Sequence, residues 1–350
     1  MSIRTMLLVG LALCVVAAMP VMAAEKASKG AAKSSEPKAP PVESPPDKMV
    51  GDYVGTLNTG GKDVAAEANV VREDPSYRIV LRAPAAGEKF AWVDLPGKGD
   101  ASKVTFSGGD DAWTGTIENG QLKAESKAGK VDLKFTVKKS PTELQKPPAG
   151  AVVLLAYEEG KKSDTAAWTQ LKGEPCQWVA MDDGSIQVKG GDIKSKQTFG
   201  DFQMHAEFRI PFEPTGKGQG RGNSGIFLHD VYEMQVLDSY GIKPEAHQCG
   251  AIYTQTAPLV NACFPPGSWQ TYEFTFRAPR FDADGKKIKD ATVTTVQNGV
   301  KVQENTDIKA PTGSAKSRPE VKAGPIRLQD HQHPVRFRNI WIVELKDEAK

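Results

Sequence analysis

Apolar residues in this chain recur at every second position, in runs too short for anything but strands. Phe202–Ile210 is the clearest case. Met204, Ala206 and Phe208 fall on one face, and His205, Glu207 and Arg209 on the other. A period of two belongs to a half-buried strand, whose successive side chains point to opposite sides. Thr271–Arg277 alternates too. Residues 291–302, ATVTTVQNGVKV, read as a hairpin with Asn298-Gly299 at its tip. Asn-Gly suits the two positive-φ positions of a type I′ turn. Pro325–Gln329 and Val335–Val343 supply two last strands. Between Gly51 and Lys139 no helical period sustains itself, and Glu118-Asn119-Gly120 marks another hairpin turn. The expected class is all-β: a small antiparallel barrel or sandwich, then a larger sandwich with jelly-roll connectivity.

The ends carry different signals. Residues 1–24 have a positive start at Arg4, an apolar run from Met6 to Ala18 and a small-residue cut at Val21-Met22-Ala23. That is the pattern of a secretory signal peptide, and the run is short for a membrane span. Secretion or a periplasmic location follows as an expectation. Residues 25–48 contain no aromatic residue and cannot bury enough apolar surface to offset ordering, so a disordered linker is expected. The rest divides into an N-terminal β-domain at 49–139, a Pro-rich linker at 140–150 and a second domain at 151–346. Formal net charge is +2, which gives no basic footprint for nucleic acid. No later segment is long and apolar enough to span a membrane. Cys249 and Cys263 flank one apparent hairpin. They are either free thiols or, in an oxidising compartment, a disulfide.

Candidate chemistry sits on polar strand faces. In Tyr232–Val236 the apolar side is Tyr232, Met234 and Val236, and the polar side is Glu233 and Gln235. A bulge after Gln235 would bring Asp238 round to join them. Retaining glycoside hydrolysis needs two carboxyls about 5 Å apart, and here an amide stands in the middle. The same pattern would also serve as ordinary wet surface. Arg327, Gln329 and His331 alternate against Ile326 and Leu328. His331 with Glu207 and Glu233 would make a ligand set for a divalent cation of unspecified identity. His205, His229 and His247 read as surface residues. Asp282–Gly285 lacks the later ligands of a calcium loop and reads as an Asx/Gly turn. Trp269 stands at the start of a strand and is the tryptophan best placed to stack on a sugar, whereas Trp168, Trp178 and Trp341 read first as core.

Several long blocks occur in order: GNSGIFL, YEMQVLDSYG, CGAIYTQTAPLVNACFPPGSWQTYEF and GPIRLQDHQHPVRFRNIWIVEL. Over 151–346 they resemble the secreted bacterial 3-keto-disaccharide hydrolase family, with its 3-keto-glycoside 1,2-lyase and 3-keto-2-hydroxyglucal hydratase domains. The resemblance implies a concanavalin-like jelly roll with the site on its concave face. It also implies a 3-keto-glycoside substrate, made by an upstream oxidoreductase. The ketone acidifies the C2 proton, a base removes it, the aglycone leaves from C1, and water adds to the glycal. Such chemistry needs a base, an acid and an electrophile, and a divalent cation would serve as the last. On this reading Glu233 is the base or a metal ligand, His331 a ligand or acid, and Glu207 a second ligand. Gln235, Gln329, Arg209, Asp238 and Arg327 bind the sugar. Two other readings stay open. A jelly roll of this class can bind glycans without cutting them, and a conventional retaining glycosidase would use Glu233 with a second carboxylate.

Overall fold

A computed structural model describes residues 47–83 and 91–346. The proposed signal peptide and nearly all of the 25–48 linker lie outside these residues. The described residues belong to one compact unit.

Among them, eight strands between Gly51 and Thr136 pair in sequence order, and the last closes on the first as an antiparallel barrel. Alternate residues point inward: Tyr53, Leu57, Ala68, Val70, Ile79, Leu81, Leu95, Val104, Ile117, Leu122 and Leu133 are all buried. Closure removes the free strand edges of so small a domain. Asn119 and Gly120 turn one hairpin at φ 51° and 72°, and Asn298 and Gly299 another at 53° and 81°. These are the left-handed positions a type I′ turn requires. Backbone bonds from Gly285 and Lys286 back to Asp282 make the Asp282–Gly285 segment an Asx/Gly turn.

The second region is a sandwich of two sheets, so the all-β jelly-roll expectation holds. Among the described residues the smaller sheet has five strands, in the order Trp168–Gln170, Ile193–Ser195, Arg327–Leu328, Ser224–Leu228, Tyr232–Val236. The larger sheet is built around Phe202–Arg209, which lies between Arg336–Glu344 and Trp269–Arg277. Met204, Ala206 and Phe208 from one sheet and Tyr232, Met234 and Val236 from the other share one apolar core. Each sheet's alternate residues therefore face outward, Glu207 on one side of the sandwich and Glu233 on the other.

Residues 140–145 of the expected linker do not hang free as a spacer. Ser140 Oγ meets Thr271 Oγ1 at 2.7 Å, and Leu144 N–H donates to Glu207 Oε1 at 2.5 Å. Arg338 donates to Glu143 at 2.9 Å, and Asn339 to Gln145 O at 3.0 Å. The segment is strapped across the outer face of the larger sheet. At another point Arg221 donates to Arg72 O of the barrel at 3.0 Å, and Arg78 of the barrel donates to Gly241 O at 2.7 Å.

Candidate active site

Glu233 lies in the strand Tyr232–Val236, directly opposite Phe227, and Phe227 lies opposite Arg327. The three side chains form a row across the outer face of the smaller sheet. The Arg327 guanidinium covers the Phe227 ring at 3.5 Å. It donates to Asp192 at 2.7 Å and pairs with Asp230 at 2.6 Å. Two carboxylates therefore engage this buried cation beside Glu233, which limits how far it can stabilise a third charge.

Glu233 is 3% exposed, and among the described residues no hydrogen bond to its carboxyl oxygens offsets the burial. Its backbone N–H donates to Thr312 Oγ1 at 2.6 Å, which brings Gly313 over the carboxyl. A Cβ at Gly313 would overlap Glu233 Oε2, and one at Gly225 would sit 2.9 Å from Oε1. The carboxyl thus occupies a slot that two glycines keep clear. Burial pushes its pKa up to about 7, against the pull of Arg327 and with a smaller push from Asp192. A buried carboxyl with no donor and a pKa near neutrality is the profile of a general base or acid.

Two amides flank it. Gln235 Nε2 donates to Gln219 Oε1 at 3.0 Å. Gln329 Oε1 is buried with no partner among the described residues, an acceptor still to be satisfied. Arg327, Gln235 and Gln329 thus gather at Glu233 as the alternation suggested, although the strand carrying Arg327 spans only Arg327–Leu328.

The remaining candidates lie elsewhere. Asp238 is not carried round by a bulge; it is buried against Arg221 at 2.5 Å, where Arg221 also holds the barrel. Glu207 is on the opposite side of the sandwich and accepts from Leu144 N–H, from Arg338 at 2.7 Å and from Asn339 at 2.8 Å. Burial pushes its pKa up, but bonds from His205, Asn339 and Arg338 outweigh that and hold it below the usual carboxylate value. Arg209 shares that outer face and lines a cleft of about 780 Å³ with Phe135, Phe212 and Arg336. His331 is exposed and stacks on His333 at 6.1 Å, with no hydrogen bond or ion pair to Glu233. Glu207, Glu233 and His331 therefore do not form one cation site. Among the described residues no three His, Cys, Asp or Glu side chains converge as a ligand set.

Other assignments need correcting as well. His205 and His229 are buried, not surface residues. His205 sits between Glu207 at 3.3 Å and Glu273 at 3.1 Å, stacked on Trp341. Trp269 lies under the Arg338 guanidinium at 3.9 Å, beside the strap rather than at Glu233. Of the two readings of Cys249 and Cys263 the structure has the free thiols, which share the Gln297 amide at 3.6 and 3.4 Å. Alternation did not reveal Asp192, Asp230, Thr312 or Gly313, because these are loop residues that reach the site by tertiary contact.

A model of the 3-keto-alpha-glucoside-1,2-lyase-like domain matches residues 151–343. A crystal structure of a protein from Parabacteroides distasonis, described as a candidate glycosyl hydrolase, is 44% identical at a TM-score of 0.51, covering 57% of this chain and 85% of its own. A second protein from that organism, described in the same words, is 22% identical at a TM-score of 0.39, over 53% of this chain and 92% of its own. No curated protein matches the chain. Family and first neighbour together support a carbohydrate-active enzyme. Through residues 151–343 the chain belongs to the 3-keto-alpha-glucoside-1,2-lyase-like domain family.

Proposed function

We propose that the protein cleaves 3-keto-glycosides by elimination, with Glu233 as the base that removes the C2 proton. The observation that carries this reading is the state of that carboxyl: buried, without a donor, and pushed up to about 7. A base of that strength suits a proton acidified by a neighbouring ketone. An ordinary sugar C–H is far less acidic, so the substrate must arrive already oxidised at C3, from an oxidoreductase acting earlier. The unpartnered Gln329 amide and the Gln235 amide suit sugar hydroxyls. Arg327 is committed to Asp192 and Asp230, so its pull at the slot, where negative charge grows on the enolate, is partly offset. Water then adds to the glycal.

A retaining glycosidase is less well supported. Of the carboxyls named around Glu233, Asp192 accepts from Arg327 and from Asp330 N–H, and Asp230 pairs with Arg327 and Arg318. Neither is free to act as a second catalytic carboxylate. We also read residues 1–24 as a signal for export, which would place the enzyme with sugars outside the cytoplasm.

The test compares a 3-keto-glucoside with its unoxidised parent. Aglycone release from the keto form alone is expected, and Glu233→Gln should lower it roughly 10²–10⁴-fold. Equal release from both substrates would favour ordinary hydrolysis, and binding without release a carbohydrate-binding module.

A further inference from the structure

We propose that Tyr253 is the acid of this reaction, protonating the departing glycosidic oxygen while Glu233 takes the C2 proton; the assignment rests on the lyase reading above.

The register argues first. Gln235 N–H donates to Ala251 O at 3.1 Å, and Tyr253 N–H donates to Glu233 O at 3.0 Å. Met234 and Ile252 form a bridge between these two bonds. Residues 251–253 thus extend the smaller sheet by one short rung, with Tyr253 opposite Glu233. Opposed residues project to the same face, so the Tyr253 ring joins the row of Glu233, Phe227 and Arg327. The position of Gly313 agrees. A Cβ there would lie 3.2 Å from Tyr253 Cδ1 and would overlap the Glu233 carboxyl, so one glycine keeps both side chains clear.

Next, the phenol is free. Its hydroxyl has no protein hydrogen-bond partner among the described residues, and the residue is only partly buried. Burial, and after it the Glu233 charge, push its pKa up. A weak acid of that kind suits an alkoxide leaving group, itself a strong base. Its loop is fixed in advance. Thr254 N–H donates to Ala246 O at 2.8 Å, Gln219 donates to His247 O at 3.0 Å, and the His247 ring stands edge-on to Tyr253 at 5.5 Å.

The other donors are less suitable. Arg327 directs its N–H groups to Asp192, Ser314 and Asp230. His331 is exposed and has no tie to Glu233.

The step balances. The C2–H proton goes to the Glu233 carboxylate, and the C2–H electron pair becomes the C1=C2 bond. The C1–O bond breaks with its pair on the aglycone oxygen, which takes the phenol proton. Transfer of the proton from Glu233 to the Tyr253 phenolate restores both groups.

The test uses full-length Tyr253→Phe and two 3-keto-glucosides, one with a methoxide and one with a 4-nitrophenolate leaving group. The ring is kept, so the fold should persist; a thermal unfolding curve checks it. We expect kcat on the methyl glycoside to fall roughly 10²-fold or more, with KM little changed, and kcat on the nitrophenyl glycoside to hold within a few-fold. A nitrophenolate leaves without a proton. C2–H exchange into D₂O should survive in Tyr253→Phe and vanish in Glu233→Gln. Equal loss on both glycosides, or no loss on either, would overturn the assignment. If the wild-type enzyme is inert toward both keto-glucosides while Glu233-dependent C2 exchange is also missing, the lyase reading falls and this assignment with it.

Discussion

Glu233 is where stability and chemistry pull against each other. Its folded pKa of about 7 lies above the ordinary carboxyl value of 4.5, so protonation favours the fold. That contribution is complete below about pH 4.5 and is lost as pH rises through 7. Glu233→Gln should therefore leave stability unchanged near pH 4 and raise it above pH 7, by up to about 3 kcal/mol. Denaturant melts at the two pH values check this. The same group sets the activity profile: kcat/KM should rise with pH through an apparent pKa near 7, because only the carboxylate accepts the proton. Gly313→Ala tests the slot. Its φ of 49° already disfavours a side chain, and the new Cβ would overlap the carboxyl. Steady-state kinetics should show activity falling at least as far as in the Glu233 variant, and no effect would count against the slot.

At the scale of elements, the strap at Ser140–Gln145 is tied to a buried charge network. Burial lowers the pKa of His205, but Glu207 and Glu273 outweigh it and leave the pKa raised. A raised histidine contributes stability fully below its ordinary 6.5 and loses it as pH climbs past the raised value. Glu207, with its pKa lowered, contributes above 4.5 and loses its share as pH falls below that. The strap should therefore be held most firmly between those limits. Limited proteolysis after Lys146 should be slowest at about pH 5–6 and faster on either side. Glu207→Gln should speed it above about pH 4.5, where the native carboxylate is charged, and change little at lower pH, while leaving keto-glycoside cleavage intact, since Glu207 lies across the sandwich from Glu233. These elements also show what alternation can and cannot reveal. It placed Glu233 with Gln235 and Arg327 with Gln329, each pair on one side of its own strand, because period two is set by the backbone alone; pairing through Ser224–Leu228 joins the two. It grouped Glu207 and His331 with them because periodicity fixes which side of a strand a residue faces, but not which sheet or which side of the sandwich that is. His205 looked like a surface residue for the same reason: the strap that covers its face comes from a Pro-rich stretch with no period.

Across the whole molecule, the barrel and the sandwich meet through Arg221, which binds Asp238 on one side and the Arg72 carbonyl on the other. Asp238→Ala would leave a buried guanidinium without its carboxylate. We expect a loss of about 3–5 kcal/mol, read by calorimetry, with kcat of the folded enzyme preserved. The all-β class, the type I′ turn at Asn298-Gly299 and the hairpin turn at Asn119-Gly120 were legible in the sequence because each rests on local rules. Barrel closure and the docking of the Asp238 segment were not, because both depend on pairing between distant segments. The central claim is that a single base, Glu233, cleaves an oxidised sugar by taking its C2 proton. The most direct test is single-turnover aglycone release from a 3-keto-glucoside carrying hydrogen or deuterium at C2. A several-fold slower reaction of the deuterated sugar, absent from the residual activity of Glu233→Gln, is expected. Equal rates for the two isotopologues, with release from the unoxidised glucoside as well, would contradict it.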